Sequence, residues 1–218
     1  YAIKNGGAAD AKYILTNDIY LNNVSAIDWK TGEVLVEGYV PNTWFNQAVS
    51  FQGSIDGDGH TIYGLYRKDN PSSMISYANY GTALVPKLPE DAAVSFKNLG
   101  IDNAFINVEC GVSAFVATSN GGDMTFDNCY VGENVQLNGG DAGAFVGYSG
   151  GSGGMLTLNN CYSLAGVSGT ADYGLLGNCY QATVTVKNSF NANGPITSYD
   201  NATWTGKYTF TDTYQTVE

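Results

Sequence analysis

The chain has 218 residues and a net charge of −11, with only 13% charged side chains alongside 28 Gly and 16 Tyr. That length can bury a core as one domain, and a composition this rich in turn and strand formers argues against a helical bundle. Its nine Lys and Arg are scattered, so there is no basic stripe to neutralise phosphates; nucleic acid and anionic membranes are excluded as expected partners, and a polyanion would need a bridging divalent metal. No run of about eighteen apolar residues suggests membrane insertion. The chain opens at Tyr1 rather than Met, which reads as a mature or excised piece of something larger.

Residues 1–50 read as an irregular N-terminal lead-in and cap, containing Tyr13-Ile14-Leu15-Thr16-Asn17-Asp18-Ile19-Tyr20-Leu21 and the tryptophans Trp29 and Trp44. Repeats are expected over 51–195. Val94-Ser95-Phe96-Lys97-Asn98, Met124-Thr125-Phe126-Asp127-Asn128, Leu156-Thr157-Leu158-Asn159-Asn160 and Val184-Thr185-Val186-Lys187-Asn188 all read apolar, hydroxyl, apolar, polar, Asn. The Asn residues are 30, 32 and 28 positions apart, and Thr61-Ile62-Tyr63-Gly64 fits the same frame 34 residues before Asn98. A second motif keeps the period, placing Phe115, Phe145 and Leu175 thirty residues apart within Ser113–Val116, Gly143–Gly147 and Tyr173–Gly177.

The period of two inside the first motif makes these segments strands, with Phe96, Phe126, Leu158 and Val186 on one side and Ser95, Thr125, Thr157 and Thr185 on the other. A unit of about thirty residues cannot bury its own apolar face, whereas stacked units give each strand a parallel neighbour at about 4.8 Å. The expected fold is all-β: a right-handed parallel β-helix, or solenoid, of about five coils. Residues 68–91 form an excursion from it, and 196–218 a C-terminal cap or linker.

In this frame Asn98, Asn128, Asn160 and Asn188 form an inward asparagine ladder at a strand-ending bend. Cys129 and Cys161 stack just behind it as buried thiols in preference to a disulfide; Cys110 and Cys179 share no repeat position.

The stretches Gly143-Ala144-Phe145-Val146-Gly147, Leu156–Ser163 and Gly166-Val167-Ser168-Gly169 resemble a GLUG-type repeat. The segments Tyr13–Leu21 and Phe51–Ile62 resemble what precedes such repeats in large bacterial surface and secreted proteins. The resemblance spans roughly residues 10 to 195, departing where the first Gly-Leu-Phe-Gly position gives way to the excursion and where Ser113 to Ala117 lacks both glycines. It implies a modular, extracellular, typically non-catalytic protein associated with adhesion or glycan contact.

Candidate sites are few. Asp56-Gly57-Asp58-Gly59-His60 resembles the start of a calcium loop without its later acidic ligand, so Asp56 and Asp58 are a turn first and a calcium site second. His60 is the only histidine and lacks the partners of a triad or a zinc site. The outward positions Ser95, Lys97, Thr125, Asp127, Thr157, Asn159, Thr185 and Lys187 supply one carboxylate and no acid–base pair.

Sugars stack on exposed rings, which singles out Trp29, Trp44, Tyr63, Tyr66, Tyr77 and Tyr80 around the lead-in and the excursion, although Trp29 or Trp44 would serve equally as a plug for the open end of the helix. The expected function is a non-catalytic, cell-surface or secreted module that binds carbohydrate or another surface polymer and adjoins other modules of its chain. A structural spacer and a polysaccharide lyase or hydrolase are the alternatives.

Overall fold

A computed structural model of the chain describes residues 10–43, 51–68, 81–151, 154–198 and 207–216. It is a parallel β-helix whose first sheet stacks seven strands in sequence order: Lys12–Ile14, Gly53–Asp56, Ala93–Lys97, Asp123–Asp127, Met155–Asn159, Thr183–Lys187 and Lys207–Thr211. A second sheet stacks seven shorter strands in the same order, from Ile19–Tyr20 to Tyr214–Gln215. The third holds Tyr66–Arg67, Ala104–Asn107, Val135–Gly139 and Gly166–Gly169, and the fourth closes each coil through 81–87, 111–120, 142–150 and 173–178.

Two rungs therefore lie beyond the expected five coils. Tyr13 and Leu15 at one end, and Tyr208 at the other, pack against the core as the inward residues of the repeat do. The lead-in is thus partly a rung, and residues 207–216 are another rung rather than a linker. Neither could be read from the Asn motif, because the C-terminal turn uses Asp212 and the N-terminal one uses Thr16-Asn17-Asp18.

The core is a set of ring and aliphatic files along the axis. Phe96 stacks on Phe126 at 5.4 Å and Phe115 on Phe145 at 5.0 Å, and the two pairs meet edge to face, with all four rings fully buried. Leu84 precedes Phe115 in its file, since the Leu84 amide donates to Ala114 O and Val85 pairs with Val116. The motif read as lost in the excursion is therefore present as Ala83-Leu84-Val85, and only 69–80 lies outside the described residues. Its glycines are spatial requirements: a Cβ on Gly143 would sit 1.9 Å from Val146 O, and one on Gly177 2.3 Å from Gly147 O, because the two limbs of each bend touch.

The first corner departs from expectation in two ways. Thr61–Tyr63 pairs with Gly100–Asp102 in the second sheet, while Gly53–Asp56 is the true partner of Val94–Lys97. The Asn residues also point outward: Asn128, Asn160 and Asn188 are exposed and Asn98 is half-buried. Their φ angles of 47° to 53° give the reason, since Asn tolerates the left-handed bend that other non-glycine residues resist.

A ladder still runs along the outside, with Asn128 donating to Asn98 Oδ1 at 3.3 Å and Asn188 to Asn160 Oδ1 at 3.2 Å. The residue that turns inward is the next one. Cys129, Cys161 and Ser189 each donate to the carbonyl two residues back, and both cysteines are free and buried.

Candidate functional site: a polar groove on the third sheet

Along the third sheet, alternate residues face outward. Tyr66 pairs with Phe105, Phe105 with Gln136, and Gln136 with Gly166. The first two rings are covered by a hairpin formed from Ile27–Asp28 and Glu33–Val34. Trp29, Ile27, Tyr66 and Phe105 form a second small core there, with the Trp29 indole donating to Val24 O at 2.8 Å and the Tyr66 hydroxyl to Gly32 O at 2.9 Å.

Trp29 and Tyr66, 5% and 9% exposed, thus offer no open ring face, which corrects their reading as sugar platforms. Nor does Trp29 plug the end of the helix; it roofs the side. Tyr63 is half-buried and stacked on Tyr20 at 4.9 Å. Trp44, Tyr77 and Tyr80 lie outside the described residues.

The next outward file is polar. Asn107 pairs with Asn138 and Asn138 with Ser168, and Lys68 follows Arg67, the partner of Ile106. Lys68, Asn107, Asn138 and Ser168 therefore rise one rung at a time, at about 4.8 Å per step. With Val108, Glu109, Gly139, Gly169 and Thr170 they line an open groove of about 510 Å³. The Ser168 hydroxyl donates to Asn138 Oδ1.

Lys68 reaches back to Glu33 on the hairpin, which holds its ammonium above the ordinary lysine range, and lies 6.0 Å from the Phe105 ring centroid. Lys68 is the last described residue before 69–80. Amide and hydroxyl groups at rung spacing can both donate and accept, as a ligand bearing many hydroxyls requires.

Elsewhere the suspected chemistry is structural. Asp56 Oδ1 accepts the Asp58 amide at 2.9 Å and the Asn98 amide at 3.1 Å; these bonds hold its carboxyl below the usual range and complete a turn in which Asp58 has φ 49°. His60 Nδ1 lies 3.3 Å from Asp18 Oδ1, which also accepts the Thr61 amide. Burial pushes the Cys110 and Cys179 thiols up to about 11 and about 12, and the adjacent Cys161 sulfur with burial raises Cys129 while the same contact lowers Cys161; all four thiols are buried in the core. Among the described residues no three His, Cys, Asp or Glu side chains gather as metal ligands.

The sequence reading missed a second aromatic file. Tyr130, Tyr162 and Phe190 stack at 5.3 and 5.4 Å on the second sheet, and Tyr214, 70% exposed, pairs with Phe190 one rung further. The signal was present in Asn-Cys-Tyr, Asn-Cys-Tyr and Asn-Ser-Phe. Tyr130, Tyr162 and Phe190 spend their stacked faces on one another and stiffen the corner, while Tyr214 at the end of the file stays open to solvent.

No family model matches the chain, and no curated protein matches it. Among solved structures it is similar to a putative immunoglobulin A1 protease from Bacteroides ovatus, with 16% identity and a TM-score of 0.40, over 94% of this chain and 68% of that one.

Proposed function

We propose that the chain is a non-catalytic, extracellular β-helix module of the GLUG type that holds a polysaccharide or related surface polymer in the groove of the third sheet. The observation that carries this reading is the file of Lys68, Asn107, Asn138 and Ser168 on successive rungs, lining a cleft of about 510 Å³. Glu109 is the carboxylate in that lining, and acid–base cleavage of a glycosidic bond uses two. The same residues suit a neutral or weakly charged glycan better than a polyanion, given the net charge of −11.

The test is a glycan array probed with the wild type and with Asn138→Ala/Ser168→Ala, scoring released reducing ends in the same wells. Binding lost in the double variant supports the reading. Retained binding moves the site elsewhere, and released ends make the module an enzyme. A spacer reading also has an observation in its favour, since stacked Phe pairs, a Tyr130–Tyr162–Phe190 stack and paired Asn side chains link neighbouring rungs and stiffen the helix. On that reading the chain binds no glycan.

A further inference from the structure

Among the described residues the solenoid is open at both ends. Lys12–Ile14 and Ile19–Tyr20 begin the first two sheets, and Lys207–Thr211 and Tyr214–Gln215 finish them, so each of these strands has a parallel neighbour on one side only. One inward file of the core runs from Tyr13 through Phe96, Phe126 and Val186 to Phe210. Its middle members are fully buried, yet Phe210 at its end is 46% exposed. A second file runs from Ile19 through Ile62, Ile101 and Val131, and there the last three are buried while Ile19 is 36% exposed. Both terminal rungs leave bare what the inner rungs cover, and an unpaired strand edge beside bare apolar side chains is a template for another strand.

The two ends are also complementary. In the stack Thr209 follows Thr185 on the outward side as Ser54 follows Lys12. Carrying that register across to a second copy lays Thr209 on its Lys12, Phe210 on its Tyr13 and Gln215 on its Ile19. Two residues earlier, Lys207 then falls opposite Asp10, and both are exposed. Opposite charges across a strand pair stabilise it, and like charges do the reverse.

We propose that the C-terminal rung of one copy pairs in parallel with the N-terminal rung of the next, so that copies of this chain stack head to tail into a continuous β-helix. Such a contact joins two different surfaces, leaves a free end on every assembly and does not stop at the dimer. One rung is a small interface, which places the contact among the weak ones, with a dissociation constant on the order of 0.1 mM. The charge of −11 on each copy opposes association, and salt at about 0.15 M screens it beyond about 8 Å. The competing surface is the exposed apolar run of Val34, Leu35, Val36 and Val40. It has no register to select a partner, and a like-to-like contact there would bring the flanking Glu33 and Glu37 of two copies together.

The experiment is analytical ultracentrifugation of the whole chain from about 10 μM to 1 mM in about 0.15 M salt, with thermal unfolding to show that each variant folds. The wild type is expected to grow with concentration past the dimer to trimers and longer species. Asp10→Lys and Lys207→Asp should each weaken association about fivefold, because Lys then meets Lys or Asp meets Asp. An equimolar mixture of the two variants should restore it to within about twofold, since each copy now presents the charge that the other lacks. Leu35→Lys should associate as the wild type does. A chain that stays monomeric at the highest concentration, a series that ends at the dimer, or reversed charges that change nothing alone or mixed would overturn the proposal. Association lost in Leu35→Lys alone would also overturn it, by moving the contact to the apolar run.

Discussion

The third sheet presents two faces to the outside, and they follow opposite rules. One outward file begins with Tyr66 and Phe105, closed over by the hairpin with Trp29 and Ile27. Two residues further along the same strands the outward positions Lys68, Asn107, Asn138 and Ser168 stay open as a groove. The strands are the same, the register is continuous and the inward residues Ile106 and Leu137 are equally buried. What differs is whether a segment from elsewhere in the chain lands on top, and that decides whether an outward position is apolar scaffold or polar binding surface.

Breaking the covered half should have the largest effect. Phe105→Ala removes a ring that is 4% exposed and leaves the hairpin without its floor, and it should cost about 3 kcal/mol by denaturant titration. A loss under about 1 kcal/mol would mean that the hairpin rests on the sheet without stabilising it.

Gly32→Ala tests the same contact from above. Its Cβ would lie 2.4 Å from Phe105 Cε1, and Gly32 has φ +69°, a region that costs an L residue about 1–2 kcal/mol on its own. A loss of about 2 kcal/mol is expected, together with greater protease sensitivity in the hairpin. In the Phe105→Ala background the steric part should fall away, leaving the backbone part, and equal losses in the two backgrounds would place the strain outside this contact.

What the sequence could disclose follows the same division. Alternation and a period of about thirty residues report on positions that must be apolar because the solenoid encloses them, so the inward residues Phe96, Phe126, Leu158 and Val186 were legible, as was the stacking of Cys129 on Cys161. Asn98, Asn128, Asn160 and Asn188 were legible as a column but not in direction, because the same residue type serves an inward hydrogen bond and an outward left-handed bend, and only φ separates the two.

The roof over Tyr66 and Phe105 was not legible, since it depends on where a hairpin some thirty to seventy residues upstream comes to rest. The same fact misdirected the aromatic reading: Trp29 and Tyr66 looked available because nothing local says they are covered. The groove went unread for the converse reason. Asn107, Asn138 and Ser168 are unremarkable strand residues until register lines them up.

The open half should yield the smallest stability changes and the most informative ones. Gly166→Ala places its Cβ 2.3 Å from the Gln136 Oε1 atom, but that is the far end of a half-buried, flexible side chain, so the cost should stay below about 0.5 kcal/mol. Asn138→Ala removes an amide that accepts from Ser168 at the solvent surface and should cost no more. Gly32 and Gly166 thus form a matched pair: both would push a new methyl group into an occupied position, yet one meets a packed ring under a roof and the other a side chain free to swing away. If Gly166→Ala proved as costly as Gly32→Ala, the outward face beside the groove would be packed as tightly as the face under the hairpin, and the covering hairpin could not be what separates the two parts of the sheet.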